Sequence, residues 1–382
     1  MNEPLMRTPL SVPLPPPASV GMAIEQVDTP ALLLDMDAFE RNLDRLVHSL
    51  RGTTVRVRPH AKSHKCAEIA RRQIAAGAVG VCVQKTSEAE ALVAGGVQDV
   101  LIANEVVGRG KLARLARLGE SAQIGVCVDD AGVVADLDAA ARAAGSRLDV
   151  YVEVNVGANR CGVEPGAPAL RLAQIVSGSA NLRFAGLQAY HGAAQHLRTI
   201  EERRTAIAQA VAKAGDTRRL IEDEGLACDI VTGAGTGTFI YEGTSGVYDE
   251  LQPGSYVFMD ADYNRNSWDG FPRFEQSLFI WSTIMSAPTP ERVVLDAGLK
   301  AHSFDSGPPQ VVGWPGVEYA RPSDEHGVLK VATGARAPRL GEKLRLVPGH
   351  CDPTVNLYDW LVCYRGERVE AVWPVTARGA FY

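Results

Sequence analysis

Three short segments carry side chains whose types and spacing could do chemistry. The first, Pro59-His60-Ala61-Lys62-Ser63-His64-Lys65, is dense in amines and imidazoles. A lysine amine that is removed from water can condense with an aldehyde to form a Schiff base. Lys62 is therefore a candidate for covalent attachment of an aldehyde, and the alternative is a basic turn on the surface.

The second segment is glycine-rich and could bind a phosphate. Gly233-Ala234-Gly235-Thr236-Gly237 lets backbone N–H groups close around an anion, and Thr236 can add a hydroxyl. Gly254-Ser255-Tyr256 could complete the same site. The alternative is an ordinary glycine-rich turn. A phosphate site combined with the Lys62 amine indicates a phosphorylated aldehyde as the cofactor.

The third segment, His350-Cys351-Asp352, could bind a metal ion. We expect it to be extended, so that His350 and Asp352 point to the same side and Cys351 points away. An imidazole and a carboxylate suit a divalent ion of the zinc or manganese type. Two ligands are too few for a closed structural site, which indicates a catalytic one. The alternative is a turn that contains a hydrogen-bonded histidine.

Parallel strands can position these segments. Val- and Ile-rich runs alternate with Ala- and charge-rich stretches, as expected for buried parallel strands joined by helices. We predict eight strands at Val55–Arg58, Val79–Gln84, Asp99–Asn104, Gln123–Asp129, Leu148–Asn155, Leu182–Tyr190, Cys228–Thr232 and Ser255–Asp260. This rhythm favours a TIM-type (β/α)8 barrel. An open doubly wound sheet is the alternative, although the GxGxxG motif expected after its first strand is absent.

Active sites of such barrels lie at the carboxyl ends of the strands. Those ends carry Lys62, Gln84, Asn104, Asp129, Asn155 to Arg160, Tyr190, His191 and Gly233 to Gly237. Among them Gln84 is a candidate cofactor contact, as is Tyr256 beside the second glycine-rich segment. Two helices are predicted between strands with clear start and stop residues, at Ser87–Ala94 and Thr199–Glu224.

After about Asp269 the pattern changes to short strands separated by Gly, Pro and Asp turns, which predicts an antiparallel β domain. These strands are Leu278–Met285, Arg292–Leu295, Gly327–Val331, Lys343–Val347, Trp360–Tyr364 and Arg368–Trp373. An early strand at Ala31–Leu34, followed by a helix at Asp37–Leu50, could join this domain. We therefore expect a proline-rich lead-in over residues 1–27, a barrel over 28–270 and a β domain over 271–382, with 28–36 as a possible strand of the β domain.

The composition and charge of the chain argue against some classes of protein. The chain has 382 residues, of which 46% are hydrophobic and 22% charged, as is ordinary for a globular protein. Its net charge of −6 argues against a nucleic-acid partner. No apolar run reaches the roughly 18 residues of a membrane span, and the first residues lack the apolar core of a signal peptide. We expect a cytoplasmic protein without a membrane partner.

Ten segments resemble those of the D-threonine aldolase and D-serine dehydratase group, relatives of alanine racemase. They lie between Asp28 and Gly379 and are PHAKSHK, VCVQKTSEAE, DVLIANEVVG, GANRCGV, GLQAYHGAAQH, GAGTGT, LQPGSYVFMD, LDAGLK, SDEHG and VPGHCDPT. The resemblance implies a barrel with a β domain (the alanine racemase-like fold), pyridoxal 5'-phosphate as cofactor and a homodimer. It also implies a lyase that acts on a small D-amino acid.

The same resemblance implies roles for individual residues. In the family pattern Lys62 holds the cofactor through its amine, Arg160 contacts the phenolic oxygen and Tyr190 packs against the pyridine ring. Thr236, Gly237, Gly254 and Ser255 surround the phosphate. His350 and Asp352 bind the metal, which is Mn²⁺, Mg²⁺ or Zn²⁺. His196 is a candidate base near the substrate hydroxyl, and its alternative is a solvated histidine in a loop.

The second metal ligand separates two activities. Members that are dehydratases resemble His-x-Cys at this motif, whereas aldolases resemble His-x-Asp, so Asp352 favours aldolase. The predicted reaction is retro-aldol cleavage of a D-β-hydroxy amino acid to glycine and an aldehyde. The substrate is left open between D-threonine and 3-hydroxy-D-aspartate. The alternatives are a D-serine or D-threo-3-hydroxyaspartate dehydratase that releases a keto acid and ammonia, a racemase, and a cofactor carrier without turnover.

Overall fold

A computed structural model describes residues 15–382, so the first part of the predicted lead-in lies outside the described residues. The strands are β1 Ala31–Asp35, β2 Arg56–Val57, β3 Val81–Val83, β4 Asp99–Glu105, β5 Gln123–Val128, β6 Leu148–Glu153, β7 Leu182–Ala189, β8 Ile230–Gly233, β9 Glu250–Leu251, β10 Leu278–Thr289, β11 Arg292–Leu295, β12 Gln310–Val311, β13 Val317–Pro322, β14 Gly327–Val331, β15 Lys343–Val347, β16 Trp360–Arg365 and β17 Arg368–Pro374. These strands form two sheets.

The α-helices are α1 Met36–Ser49, α2 Ala67–Ala75, α3 Thr86–Ala94, α4 Arg109–Leu118, α5 Ala131–Ala144, α6 Ala167–Ser177, α7 Ile200–Asp223, α8 Phe239–Gly243, α9 Ala261–Asn264 and α10 Cys351–Val355. Short 3-10 helices lie at Ile24–Gln26, Ala61–Ser63, Gly192–His196 and Ser255–Val257. Within residues 15–382, none of the helices has the length and apolar character needed to cross a membrane.

Eight parallel strands form the barrel, in the order β2-β9-β8-β7-β6-β5-β4-β3. The ends of this order meet, because Val79 N–H donates to the Val57 carbonyl at 2.9 Å and Cys82 N–H donates to the Pro59 carbonyl at 2.8 Å. The predicted TIM-type barrel is confirmed, and the closure excludes the open doubly wound sheet. Buried side chains of different sizes pack its interior, among them Cys82, Leu101 and Tyr151.

The prediction of the eighth barrel strand at Ser255–Asp260 was wrong. The eighth barrel strand is β9, and residues Ser255–Val257 form a 3-10 helix after Pro253-Gly254. β9 is two residues long and contains Glu250, which the pattern of apolar runs does not identify as a strand residue. Glu250 is fully buried and its carboxylate accepts a hydrogen bond from the Arg58 guanidinium at 2.6 Å. The buried ion pair with Arg58 makes a charged residue compatible with the barrel interior.

The second sheet has nine strands and is mostly antiparallel. β1 pairs with β10 antiparallel and with β16 parallel, so the early strand joins this sheet before the chain enters the barrel. All six predicted strands of this region are present, and β12 and β13 were missed. β13 contains the exposed charged residues Glu318 and Arg321 and ends at Pro322, so its alternation of buried Val317 and Tyr319 is not apparent from the sequence.

Helix starts follow local capping. α7 begins after Thr199, whose side chain accepts from the Glu202 N–H while the Glu202 carboxylate accepts from the Thr199 N–H. The predicted helix at Thr199–Glu224 therefore agrees with the structure to within one residue at each end. α1 begins after Asp35, whose carboxylate accepts from the Ala38 N–H at 3.1 Å. Because β1 leads directly into α1, the chain passes from the second sheet to the barrel without a long linker.

Candidate active site

One cavity opens at the carboxyl ends of the barrel strands, facing the second sheet. Its volume is about 450 Å³, within the range of about 300–1,000 Å³ that is usual for small-molecule sites. It is lined by His60, Lys62, Gln84, Ala103, Ala158, Arg160, Gln188, Tyr190, Gly192, Ala193, His196, Ala234, Gly235, Thr236, Gln252, Gly254, Ser255, Tyr263, His350 and Asp352. Side chains that lie far apart in the sequence thus surround one volume.

Lys62 projects into this cavity from the 3-10 helix Ala61–Ser63, and its amine contacts the Asp352 carboxylate. Burial alone lowers the pKa of the Lys62 amine, and the negative charge of Asp352 outweighs that effect, so the pKa is raised. Burial likewise raises the pKa of Asp352, and the Lys62 charge outweighs it, so that pKa is lowered. The structure thus pairs this amine with a carboxylate, where the sequence suggested an amine removed from water.

His60 and Gln84 lie beside Lys62 on the same wall of the cavity. The His60 Nδ1 accepts from the Lys62 backbone N–H at 3.4 Å, and the Gln84 amide lies 2.7 Å from the His60 Nε2. Burial lowers the pKa of His60 well below its usual range, and the Lys62 charge lowers it further, so the imidazole is neutral. No role was assigned to His60 from the sequence, although it lies two residues from Lys62.

Glycines shape a candidate anion cradle in the cavity that contains Lys62. A Cβ atom at Gly235 would lie 2.6 Å from the Gln195 amide, and one at Gly254 would lie 3.0 Å from the His60 carbonyl. The Thr236 hydroxyl lies on this wall and accepts from the Tyr256 N–H at 3.1 Å. Gly254 and Ser255 line the same wall, so these residues could hold a phosphate.

Gln195 fixes the glycine-rich loop and was not identified from the sequence. Its side-chain carbonyl accepts from the Gly237 N–H at 2.9 Å, and its amide donates to the Thr238 hydroxyl at 2.8 Å. Gly237 therefore lies next to the cavity with its N–H already bonded. A glutamine 42 residues away from Gly237 carries no local signal, so only the fold reveals this contact.

Tyr256, a candidate cofactor contact from the sequence, follows Gly254 and Ser255. Its side chain lies outside the cavity, is buried, and accepts from the Gln73 amide through its hydroxyl at 3.1 Å. Only its backbone N–H reaches the cradle, through Thr236. The 3-10 helix Ser255–Val257 turns the Tyr256 side chain toward α2, which a continuous strand would not do.

Arg160 and Tyr190 form a second wall. The Arg160 guanidinium lies 5.8 Å from the centroid of the Tyr190 ring. Arg160 follows Asn159, whose φ of 50° is in the left-handed region, and the Asn155 side chain accepts from the Asn159 N–H at 3.1 Å. This turn directs Arg160 into the cavity. Together the two residues offer a flat aromatic surface and a fixed positive charge.

His350 and Asp352 lie on the side of the second sheet, but the extended segment predicted for them was wrong. Asp352 is in the first turn of α10, and His350 is the residue before that helix. Both side chains still line the cavity, while Cys351 is buried and donates its N–H to Asp260 at 3.0 Å. The His350 Nδ1 lies 2.8 Å from the Asp305 carboxylate.

The donor types at this position fit a divalent ion. An imidazole and a carboxylate face the same volume, which is a suitable donor set for manganese or zinc. Within residues 15–382, no group of three or more His, Cys, Asp and Glu side chains is arranged to hold a metal. An ion held by His350 and Asp352 would therefore keep open positions for water or substrate.

His196 lines the cavity and is the last residue of the 3-10 helix Gly192–His196. Its side chain is 51% exposed, and its Nδ1 lies 2.6 Å from the Asp262 carboxylate. The other ring nitrogen remains available to the cavity. Asp262 was not identified from the sequence because it follows His196 by 66 residues.

Comparisons with known proteins agree with this geometry. Residues 34–262 match the family described as alanine racemase, N-terminal domain, and residues 277–364 match a putative serine dehydratase domain. The chain is 51% identical to a D-threonine aldolase from Arthrobacter sp, over 96% of this chain and 97% of that protein. It is 46% identical to a 3-hydroxy-D-aspartate aldolase from Paracoccus denitrificans, over 96% of each.

Solved structures show the same relationship. A crystal structure of a D-threonine aldolase from Filomicrobium marinum is 52% identical in sequence, with a TM-score of 0.94 over 97% of this chain and 100% of that chain. A D-threo-3-hydroxyaspartate dehydratase from Delftia sp. is more distant, at 25% identity and a TM-score of 0.81 over 92% of this chain and 98% of that chain.

Proposed function

We propose a function from one premise: the chain belongs to the family of D-threonine aldolase and its alanine racemase-like relatives. The proposed reaction is retro-aldol cleavage of a D-β-hydroxy amino acid to glycine and an aldehyde. The observation that carries it is a single cavity that contains Lys62, the glycine cradle, the His350–Asp352 pair and His196. The Arthrobacter and Paracoccus aldolases support aldol cleavage over dehydration, because their identities exceed the 28% of the Delftia dehydratase.

The cavity suits pyridoxal 5'-phosphate as the cofactor. Bound pyridoxal phosphate supplies an aldehyde that condenses with amines and a ring that accommodates negative charge at the substrate Cα. In our proposal Lys62 holds the aldehyde end, and Gln84 lies beside it. Thr236, Gly254 and Ser255 hold the phosphate, with Gly237 adjoining. Arg160 and Tyr190 hold the ring.

The chain's own residues then handle the substrate hydroxyl. We propose that His350 and Asp352 hold a divalent ion, which supplies a Lewis acid next to that hydroxyl. His196 accepts the hydroxyl proton as a general base. As the O–H electron pair becomes the carbonyl bond of the aldehyde, the Cα–Cβ bond breaks. The remaining Cα takes up a proton, and glycine leaves.

The charge of the cavity favours a substrate with an uncharged β-substituent. Among the described residues, Lys62 and Arg160 are the Lys and Arg side chains that line it, and both are assigned to the cofactor. Arg198 and Arg265 lie nearby, but both are bonded to Asp262. A second carboxylate would thus lack a free cationic side chain, so we propose D-threonine over 3-hydroxy-D-aspartate as the better substrate.

Product analysis tests this function. The protein is incubated with pyridoxal phosphate, MnCl₂ and D-threonine, L-threonine or 3-hydroxy-D-aspartate, and glycine and ammonia are measured. We expect glycine from the D-isomers and a higher kcat/KM for D-threonine. Ammonia without glycine would instead identify a dehydratase, the alternative supported by the match of residues 277–364 to a putative serine dehydratase domain.

The homodimer and the cytoplasmic location stay predictions.

Substitution of Gly235 by Ala is expected to weaken cofactor binding. The new methyl group would lie 2.6 Å from the Gln195 amide, which holds Gly237 and Thr238 in place. Overpacking of this kind costs about 1–3 kcal/mol, so the Kd for pyridoxal phosphate should rise about 10-fold or more. An absorbance titration measures the Kd.

Gly110→Ala is the matched control for this substitution. Gly110 lies in α4, where an added Cβ would meet nothing within 4 Å. Its cofactor affinity should equal that of the wild type. A Gly235→Ala protein with wild-type affinity would contradict the position of the phosphate cradle.

A further inference from the structure

Asp262 is a buried carboxylate that contacts the candidate base from outside the cavity. It lies in α9, and one of its oxygens, Oδ2, is 2.6 Å from the His196 Nδ1. The other oxygen, Oδ1, accepts from the Arg198 guanidinium at 2.6 Å and also from Arg265. The two arginines thus occupy one oxygen and leave the other to the imidazole.

This contact selects one tautomer of His196. A carboxylate can only accept, so the His196 Nδ1 must carry the proton that it donates to Asp262. In the neutral ring the lone pair then lies on Nε2, the nitrogen that remains available to the cavity. A base needs that lone pair toward the substrate, and the opposite tautomer would present an N–H group instead.

The Asp262 carboxylate is ionised near neutral pH. Burial alone raises the pKa of Asp262, and the hydrogen bonds from Arg198, Arg265 and His196 outweigh burial and lower the pKa to about 2. Asp262 therefore accepts a proton from neither His196 nor water near neutral pH. It acts as a fixed negative charge behind the ring.

The backbone around this contact is held by other bonds. The Asn266 amide donates to the Gln195 carbonyl at 3.0 Å, and Arg198 also donates to the Asp262 carbonyl at 2.9 Å and to the Asn266 side chain at 2.7 Å. The loop that carries His196 is thus tied to α9 without the Asp262 carboxylate. Removal of that carboxylate should change the ring and leave the loop in place.

We propose that Asp262 is a positioning residue that fixes the orientation and tautomer of His196, and that Arg198 and Arg265 hold its carboxylate for this purpose. The inference rests on the proposed function, because it assigns a task to a partner of the base. In this arrangement two guanidiniums contact one carboxylate, and that carboxylate contacts the imidazole. The aspartate and histidine of a serine hydrolase triad have a similar arrangement, and the similarity is one of geometry alone.

Asp262→Asn tests the proposal, because the amide keeps the size of the side chain and can present an N–H group to His196. We expect kcat for D-threonine to fall about 10- to 100-fold, within the range that general acid–base catalysis contributes, with KM and the cofactor absorbance unchanged. Glu201→Gln is the control, since Glu201 forms an exposed pair with Arg204 on α7. Its kcat should be that of the wild type.

A double-mutant comparison separates positioning from a general structural effect. If Asp262 acts through His196, Asp262→Asn should cause no further loss of kcat in a His196→Gln background. An equal loss in both backgrounds, or an unchanged kcat in the single variant, would overturn the proposal. If Asp262→Asn does not fold, Arg265→Met replaces it, with a smaller loss that again depends on His196. A wild-type protein that releases no glycine would instead overturn the proposed function.

Discussion

Replacement of Lys62 by Ala is expected to abolish covalent attachment of the cofactor and to lower glycine release about 10⁴-fold or more, because the residue supplies the only amine proposed for attachment. In the wild type, borohydride should fix pyridoxal phosphate to the peptide that contains Lys62, which mass spectrometry detects. The Lys62→Ala peptide should show no such mass increase. Added pyridoxal phosphate should not restore the rate.

Lys62→Arg is the matched control, because it keeps a positive charge beside Asp352 and thus separates the ion pair from the amine chemistry. We expect it to fold with a thermal stability close to that of the wild type and to be as inactive as Lys62→Ala. A Lys62→Ala protein that still carries covalent cofactor, or still releases glycine at more than a small fraction of the normal rate, would contradict this assignment.

Loss of the metal should have the second largest effect. We expect exhaustive chelation, or His350→Ala, to lower glycine release about 10³-fold, because a bound cation contributes several kcal/mol of transition-state stabilisation. Absorbance of the bound cofactor should remain. Titration with Mn²⁺, followed by electron paramagnetic resonance, should show that His350→Ala no longer binds the ion.

Asp305→Asn is a control for the metal experiment in which a partial loss of Mn²⁺ affinity is expected. Asp305 contacts the His350 Nδ1 at 2.8 Å, so it can orient the imidazole without being a proposed ligand. Its loss should weaken Mn²⁺ binding about 10- to 100-fold, as for other residues that orient metal ligands. Full activity after chelation, or unchanged Mn²⁺ affinity of His350→Ala, would show that His350 and Asp352 do not hold a catalytic metal.

Much of the barrel could be predicted because buried parallel strands leave continuous apolar runs in the sequence. β4 to β8 have that pattern, and residues that follow β6, β7 and β8, such as Arg160, Tyr190 and Thr236, line the cavity. β9 was not predicted because two residues give no pattern, and its Glu250 is buried in the barrel as an ion pair with Arg58. The charge of Glu250 is compensated by a residue 192 positions away, which local sequence cannot show.

Some residues of the candidate active site could likewise be predicted from the sequence, and others could not. Lys62, the glycine-rich loop and the His350–Asp352 motif have local signatures, although α10 replaced the extended segment expected for the latter. Gln195 and Asp262 have no such signature, because their roles follow from contacts across 42 and 66 residues. Tyr256 has a local signature but not the expected contact. It lies in the Gly254-Ser255-Tyr256 segment that suggested a phosphate site, and its side chain points away from the cavity.

The central claim is that the bond between Cα and Cβ breaks, and one isotopic measurement tests it most directly. D-threonine labelled with ¹³C at Cβ is incubated with the holoenzyme and Mn²⁺, and the label is followed by ¹³C NMR. We predict that the label appears in acetaldehyde and its hydrate, with unlabelled glycine formed in equal amount. Label in 2-oxobutanoate, with release of ammonia, would contradict the account and identify a dehydratase.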